Sequence, residues 1–212
     1  MKDQIKLNNS REIILSKLRS SVSRSWEDLW PDNIPTGDVF ESALDPLSLF
    51  KEKLEEVGGK VLIERDEKEA WNKLSLILRE RGWKQFVVSD PTIKENCLRN
   101  GIPVVDNFVG TEDTEVSLTG CEALIAITGS VMVSSSVAGR KINVYPSVHL
   151  VLARKEQLVQ SIEEGFERIE KRYDHRPSQI SLISGPSRTA DIEKTLVMGA
   201  HGPRELIVLI YN

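Results

Sequence analysis

Short apolar runs alternate with amphipathic stretches through most of the chain. Lys60 to Glu64 and Gln85 to Ser89 have the length and apolar content of strands. Apolar residues recur at helical spacing from Leu47 to Val57 and from Glu67 to Arg81. Strands that alternate with helices over short connections predict an α/β fold. We therefore expect a three-layer domain whose mainly parallel sheet is covered by helices on both faces.

The same alternation continues to the end of the chain. Helices are predicted from Ile93 to Asn100 and from Lys155 to Tyr173, and strands at Val104 to Asp106, Ala123 to Ile127, Val131 to Ser134, His149 to Ala153, Ile180 to Ile183 and Glu205 to Tyr211. Thr128-Gly129-Ser130 joins two of these strands and predicts a hairpin or a sharp bend. On the helix from Lys155, charged residues that include Arg168 lie opposite an apolar stripe and predict a solvated face.

A further amphipathic helix is predicted near the N-terminus, from residue 10 to residue 25, where Ile14 and Leu18 recur at helical spacing. A stretch rich in turn-forming residues follows this helix. The pattern therefore predicts two parts. Residues 1–44 form an N-terminal helical arm, and residues 45–212 form the α/β domain.

Composition narrows the classes of function. The 212 residues are 40% hydrophobic and 28% charged with a formal net charge of -4, and they contain no basic stripe of the kind that binds nucleic acid. No run of eighteen apolar residues is present, and the N-terminus lacks the apolar core of a signal peptide. We expect a cytoplasmic protein with neither a nucleic-acid nor a membrane partner.

The two cysteines, Cys97 and Cys121, lie far apart in the sequence. Neither belongs to a C-x-x-C pair of the kind that holds zinc or an iron–sulfur cluster. The spacing therefore predicts two reduced thiols, no metal site and no bound cofactor. Electron transfer would then depend on a partner protein.

Chemically active residue types gather near the C-terminus, between two apolar runs that read as strands. The first run ends at Gly185-Pro186, and helical spacing from Ala190 to Val197 then predicts a strand, a tight turn and a helix start. Unpaired N–H groups at such a helix start, together with Arg188, suit a phosphate or a carboxylate. Alternatively, Arg188 pairs with Asp191 or Glu193 and only fixes the turn.

Three titratable residues are candidates for chemistry. His201 lies between two glycines in a loop that can bend tightly, and it is the best-placed candidate for proton exchange. Glu122 precedes a strand, and either it is exposed at the end of the sheet or it lies near a functional cleft. His149 begins a strand, where a histidine is commonly structural but can also be a base or a ligand.

The turn from Gly185 to Thr189 and the loop from Gly199 to Pro203 are predicted to lie side by side at one end of the sheet. The helix predicted between them, from Thr189 to about Val197, would be only about 13 Å long at 1.5 Å per residue. A shared cleft would let Arg188 hold an anion while His201 exchanges a proton with it.

These same residues resemble a known family. Gly185 to Glu193, followed by His201-Gly202-Pro203, resembles the signature of the LUD (lactate utilization) domain family, in particular its lactate utilization protein C members. Thr119 to Ser130 and Tyr145 to His149 are similar to two further segments of that family, so the resemblance covers residues 45 to 212. One departure is Ile127, where the family commonly has an acidic residue.

The resemblance implies a NagB/RpiA/CoA-transferase-like fold and a part in oxidising L-lactate to pyruvate. It also implies iron–sulfur lactate utilization subunits as partners, among them lactate utilization protein B, and a small carboxylate or phosphate ligand. The site residues implied are His201 and Glu122 for catalysis and, for ligand binding, Gly185, Ser187, Arg188, Thr189, Thr128, Gly129 and His149. Two alternatives remain: a non-catalytic scaffold or regulator of that complex, and an enzyme acting on a phosphorylated or CoA-linked small molecule.

Overall fold

The computed structural model describes residues 2–21, 45–105, 116–189, 197–198 and 202–212. The chain divides into two compact units, Met1–Glu41 and Ser42–Asn212. The first unit contains helix α1, Lys2–Ser21, which begins eight residues before the predicted start. Residues 22–25 of the predicted helix lie outside the described residues, and the division into an arm and a domain at residue 44 stays a prediction.

The second unit contains the remaining elements. Its helices are α2 (Pro46–Glu56), α3 (Glu67–Glu80), α4 (Pro91–Arg99), α5 (Ser135–Ala138) and α6 (Ile162–Arg172). Its strands are β1 (Lys60–Glu64), β2 (Phe86–Val87), β3 (Val104–Val105), β4 (Val116–Thr119), β5 (Ala123–Ile125), β6 (Ser130–Ser134), β7 (Val148–Arg154), β8 (Leu158–Val159), β9 (Ile180–Ile183), β10 (Arg188–Thr189), β11 (Val197–Met198) and β12 (Glu205–Tyr211). No helix in the described part of the chain is both long and apolar enough to cross a membrane.

A six-stranded parallel sheet forms the centre of the unit, in the order β1-β12-β7-β4-β2-β3. Strand β12 lies between β1 and β7, and its residues from Leu206 to Tyr211 are buried. A strand covered on both faces reads as a nearly continuous apolar run, which is how β12 was recognised in the sequence. The α/β class and the mainly parallel sheet are therefore confirmed.

The two faces of this sheet are covered differently. Helices α3 and α4 pack on one face through residues such as Trp71, Leu74 and Cys97. The other face packs against α2, α5 and a smaller sheet of order β8-β5-β6-β9, and α6 contributes Ile169 to a cluster with residues of β5 and β6. The expectation of helices on both faces was therefore incomplete, because a second sheet shares one of them.

Two predicted helices are wrong in part. Lys155–Gln157 form a single 3-10 turn and β8 follows, so the helix predicted from Lys155 begins only at Ile162. Strand β8 pairs with β5, and this distant partner overrides the local helical spacing. The helix predicted from Thr189 to Val197 is contradicted at both ends, because Thr189 pairs with Val197 in an antiparallel ribbon. Residues 190–196, like Asp106, lie outside the described residues.

Candidate functional site

Two segments of the predicted site meet at the C-terminal end of α2. The hairpin turn between β5 and β6 brings Gly129 so close to α2 that a Cβ atom there would lie 2.5 Å from the backbone nitrogen of Leu54. Gly129 also has a φ of 60°, so it combines left-handed backbone with close backbone packing. The Ser130 hydroxyl lies 2.6 Å from the Ser184 hydroxyl, which joins this turn to the start of the second segment.

Arg188 belongs to the same cluster. Its guanidinium donates a hydrogen bond to the carbonyl of Val57, the residue that ends α2. The last carbonyls of a helix have no partner within the helix, and they form its negative pole, so a cation there is stabilising. Arg188 thus caps α2, a task that differs from the ion pair with Asp191 or Glu193 considered above; both of those carboxylates lie outside the described residues.

The side chain of Arg188 remains exposed, and only one of its N–H groups is used in the bond to Val57. A guanidinium has five N–H donors, so it can cap a helix and still bind a carboxylate. In the turn that contains Gly129, Thr128 has a buried hydroxyl oxygen with no hydrogen-bond partner among the described residues. Thr189 continues the chain into β10, opposite Val197.

The two C-terminal loops are in contact where the structure describes them. The backbone N–H of Ser187 donates to the carbonyl of Pro203 at 2.8 Å, and a Cβ atom on Gly202 would lie 3.0 Å from that of Ser187. This contact agrees with the predicted adjacency. Because Arg204 N–H donates to the Ser147 carbonyl at 2.7 Å, the loops lie at the amino-terminal edge of β7 and β12. His201 itself lies outside the described residues.

Glu122 lies in a different place. Its side chain is 1% exposed, and its carboxylate accepts hydrogen bonds from Ser134 at 2.5 Å, Tyr173 at 2.9 Å and Arg172 at 3.0 Å. Burial raises the pKa of the Tyr173 phenol, and the hydrogen bond to Glu122 raises it further, so the tyrosine stays a donor. Both carboxylate oxygens therefore already have hydrogen-bond partners within the protein.

The distance between Glu122 and the Arg188 cluster can be derived from strand β6, which both of them adjoin. Glu122 binds Ser134 at one end of this strand, whereas Ser184 binds Ser130 at the other end. Four residue steps of strand span about 13 Å. The structure thus brings Thr128, Gly129 and Arg188 together but does not bring Glu122 to them.

His149 lies inside the central sheet and is fully buried. Its Nε2 atom is 2.8 Å from the Thr119 hydroxyl, and its Nδ1 atom has no partner among the described residues. Burial lowers the pKa of the His149 imidazole from 6.5 to about 4, because the charged form has lost its solvation. The imidazole is therefore neutral at pH 7, and its proposed role in ligand binding stays a prediction.

Both cysteines are buried thiols. Burial raises the pKa of Cys97 to about 12, and burial together with the nearby charge of Glu122 raises the pKa of Cys121 to about 12. Neither is a reactive thiolate at neutral pH. In the described ranges no three His, Cys, Asp or Glu side chains are grouped so that they could hold a metal ion.

The sequence reasoning missed the residues around Glu122. Arg168 donates to the backbone carbonyl of Glu122 at 3.3 Å and to that of Glu156 at 3.0 Å, so it is held against the protein rather than on a solvated face. It lines a cleft of about 500 Å³ together with Arg172. The available signal was spacing, since Arg168 and Arg172 are four residues apart and share one face of α6.

Comparison with known proteins identifies a matching family and several related sequences. The family model described as LUD domain matches residues 47–211. A Lactate utilization protein C of Deinococcus radiodurans is 31% identical over 122 residues, which cover 56% of this chain and 56% of that protein. A Lactate utilization protein C of Bacillus subtilis is 29% identical over 164 residues, 67% of this chain and 68% of that protein.

A protein of Neisseria meningitidis serogroup B, described as uncharacterised, is 36% identical over 96 residues, which cover 45% of this chain and 41% of that protein. Several of these matches are partial, and the chain spans about half the length of the relatives from Neisseria and Deinococcus. A crystal structure of a DUF162 family protein from Deinococcus radiodurans superposes with a TM-score of 0.58 at 23% identity, covering 79% of this chain and 96% of that one. That similarity supports the fold alone.

Proposed function

Because the chain belongs to the LUD domain family, we propose that it takes part in lactate utilization. In this proposal it is a cytoplasmic component of an iron–sulfur-dependent system that oxidises L-lactate to pyruvate. Relatives named Lactate utilization protein C, at 31% and 29% identity, support the assignment to this process. Oxidation of lactate to pyruvate breaks the hydroxyl O–H bond and the C–H bond on the same carbon. The hydroxyl proton is taken up within this chain, and the hydrogen on carbon leaves with two electrons to an acceptor in the iron–sulfur partner system.

The observation that carries this proposal is the convergence of separate signature segments on one surface. Thr128-Gly129-Ser130 meets Ser184-Gly185 beside α2, and Ser187 contacts Pro203. The proposed ligand is a small carboxylate such as that of lactate, bound by N–H groups of Arg188 that do not cap α2. His201, next to Gly202, takes up the hydroxyl proton.

A non-catalytic scaffold role is the second candidate, and the bond from Arg188 to the Val57 carbonyl favours it. If capping is the whole task of Arg188, its loss removes about 1 kcal/mol of stability. For a chain of this size, that lowers the melting temperature by roughly 2–4 °C. If Arg188 also binds the carboxylate, its loss removes function at a temperature where the variant is still folded.

The test is growth of a strain that lacks the gene and any paralogue. We expect the deletion to impair growth on L-lactate but not on pyruvate, and the wild-type gene to restore it. Arg188→Ala should fail to restore growth although the variant protein accumulates normally. Arg99→Ala is the matched control, because Arg99 is an exposed arginine of α4 whose ion pair partner is Glu95.

Two results would count against the proposal. Normal growth of the deletion strain on lactate would remove this chain from lactate utilization. Full restoration by Arg188→Ala, together with a melting temperature lowered by a few degrees in the purified variant, would leave Arg188 with the capping role alone.

A further inference from the structure

A second polar cleft lies away from the Arg188 cluster, between α6 and the segment that follows β7. Its volume is about 500 Å³, within the range of small-molecule sites. Four cationic side chains and two carboxylates line it, an excess of two positive charges: Arg154, Arg168, Lys171, Arg172, Glu122 and Glu156. The excess contrasts with the net charge of -4 of the whole chain.

Some of these cations have a carboxylate partner, but Arg168 has none among the described residues. Glu122 is occupied by Arg172 at 3.0 Å, and Lys171 pairs with Glu167 at 3.1 Å. The hydrogen bonds of Arg168 go instead to the backbone carbonyls of Glu122 and Glu156. A half-buried guanidinium has lost part of its hydration, so an anion from solution would stabilise it.

The same contacts orient Arg168. Its Nε and one Nη nitrogen are directed to the two carbonyls, and the other end of the guanidinium keeps its N–H donors. Glu122 stabilises the position of Arg168. Its hydrogen bonds to Ser134 of β6 and Arg172 of α6 link this helix to the strand. Glu122 is thus a positioning residue for the cleft, because its carboxylate oxygens are already used within the protein.

The cleft also has the position at which open α/β sheets bind ligands, outside the carboxyl ends of parallel strands. Arg154 is the last residue of β7 and lines the cleft. It also lines a neighbouring cavity of about 480 Å³, together with Tyr211 and Asn212 at the carboxyl end of β12. The Arg188 cluster, by contrast, is at the amino-terminal edge of the same strands.

We propose that the cleft between α6 and the carboxyl end of β7 binds a compact dianion, such as the phosphoryl group of a small metabolite, through Arg168 and Lys171. Arg168 has no carboxylate partner among the described residues, and the exposed Lys171, which pairs with Glu167, supplies a second cation. Guanidinium and ammonium groups together suit a phosphoryl group, which offers several acceptor oxygens. This site is separate from the proposed lactate site and does not depend on it.

The test is calorimetric titration of the full chain with inorganic phosphate at constant ionic strength, with sodium chloride as the reference anion. We expect saturable phosphate binding that Arg168→Gln weakens about tenfold or more, since a hydrogen bond to a charged group contributes roughly 1.5–3 kcal/mol. Lys171→Gln should weaken binding about threefold, because Lys171 is 77% exposed and its charge is screened. Lys171→Gln also keeps the test decisive if Arg168→Gln does not fold.

A control variant and the choice of assay separate the possible outcomes. Arg176→Gln removes an exposed arginine that pairs with Glu170 outside the cleft, and it should leave phosphate binding unchanged. The lactate proposal is tested by growth and this one by titration of the purified chain with phosphate, so the two can fail separately. No phosphate binding beyond that of chloride would overturn the inference, as would binding that survives both Arg168→Gln and Lys171→Gln in folded protein.

Discussion

Acidification should destabilise the fold through one buried side chain, His149. The imidazole is fully buried, its Nε2 atom contacts the Thr119 hydroxyl, and its Nδ1 atom has no partner in the described part of the chain. A protonated imidazole must donate from both nitrogens, but Nδ1 has no acceptor to donate to. Protonation in the folded state therefore costs both the lost hydration of the charge and an unpaired donor.

The size of the effect follows from the two pKa values. The pKa of His149 is 6.5 when solvated and about 4 in the fold. Between these values the unfolded chain binds more protons than the folded one, so stability falls as the pH falls. The full contribution is present above pH 6.5; about 2 kcal/mol is lost by pH 5, and about 3 kcal/mol below pH 4, at ~1.4 kcal/mol per pKa unit.

The assay is urea denaturation, followed by tryptophan fluorescence, at pH 7.5 and pH 5. Other groups titrate over the same interval, so the wild type is compared with His149→Gln, which keeps a polar side chain but does not titrate. The variant should lose about 2 kcal/mol less free energy of unfolding than the wild type between the two pH values. Equal losses would refute the reasoning, as would a His149 pKa above 6 measured by NMR in the folded protein.

Two further predictions concern stability. Gly129→Ala should lower the free energy of unfolding by roughly 2–4 kcal/mol, because the new Cβ meets the α2 backbone at 2.5 Å. Gly82 has a similar φ of 67°, but none of the described residues has an atom within 4 Å of the new Cβ, so Gly82→Ala should cost only about 1 kcal/mol. Similar losses in the two variants would show that packing against α2 is unimportant. Burial alone would raise the pKa of Glu205, but hydrogen bonds from Lys60 and Arg81 lower it below 4.5. The stability that these bonds contribute to the fold is therefore present above pH 4.5 and is lost as the pH falls further. Glu205→Gln should therefore cost about 1 kcal/mol at pH 7 and less at pH 3, and a difference that does not shrink in acid would contradict the assignment.

The elements that the sequence predicted best are those that carry their own boundary signals. Strands β1 and β12 have the predicted limits, and α2 and α3 are within one residue of them. Aspartates precede α2 and α3, and each accepts a hydrogen bond from the first turn of its helix. Such caps and the apolar periodicity depend only on residues close in sequence, so they can be predicted from the sequence.

The errors occurred where a distant partner decided the local structure. Leu158 and Val159 continue a helical pattern, yet they pair with Leu124 and Ile125 in the small sheet. Thr189 was placed at a helix start, but it pairs with Val197 across an antiparallel ribbon. Local spacing cannot report a hydrogen-bonding partner that lies many residues away.

The candidate site, like the fold, was predicted from the sequence only in part. The residue types at Thr128-Gly129, Gly185 and Arg188 were identified from the sequence, and so was the adjacency of the two C-terminal loops, which the structure supports through Ser187 and Pro203. The separation of Glu122 from Arg188 could not be predicted from the sequence, because it depends on which end of β6 each segment contacts. The role of Arg168 was hidden for a similar reason, since its backbone acceptors belong to other elements.

The amino-acid sequence by itself determined the α/β alternation, the limits of the main strands and the residues that carry the family signature, because these depend on patterns within a few turns or a few strand residues. The tertiary structure alone decided which side chains meet. Arg188 caps a carbonyl 131 residues away at Val57, and Glu122 binds Arg172 across 50 residues. Contacts between residues so far apart form only when the sheets and helices pack, so folding, and not local propensity, assigns these side chains their partners.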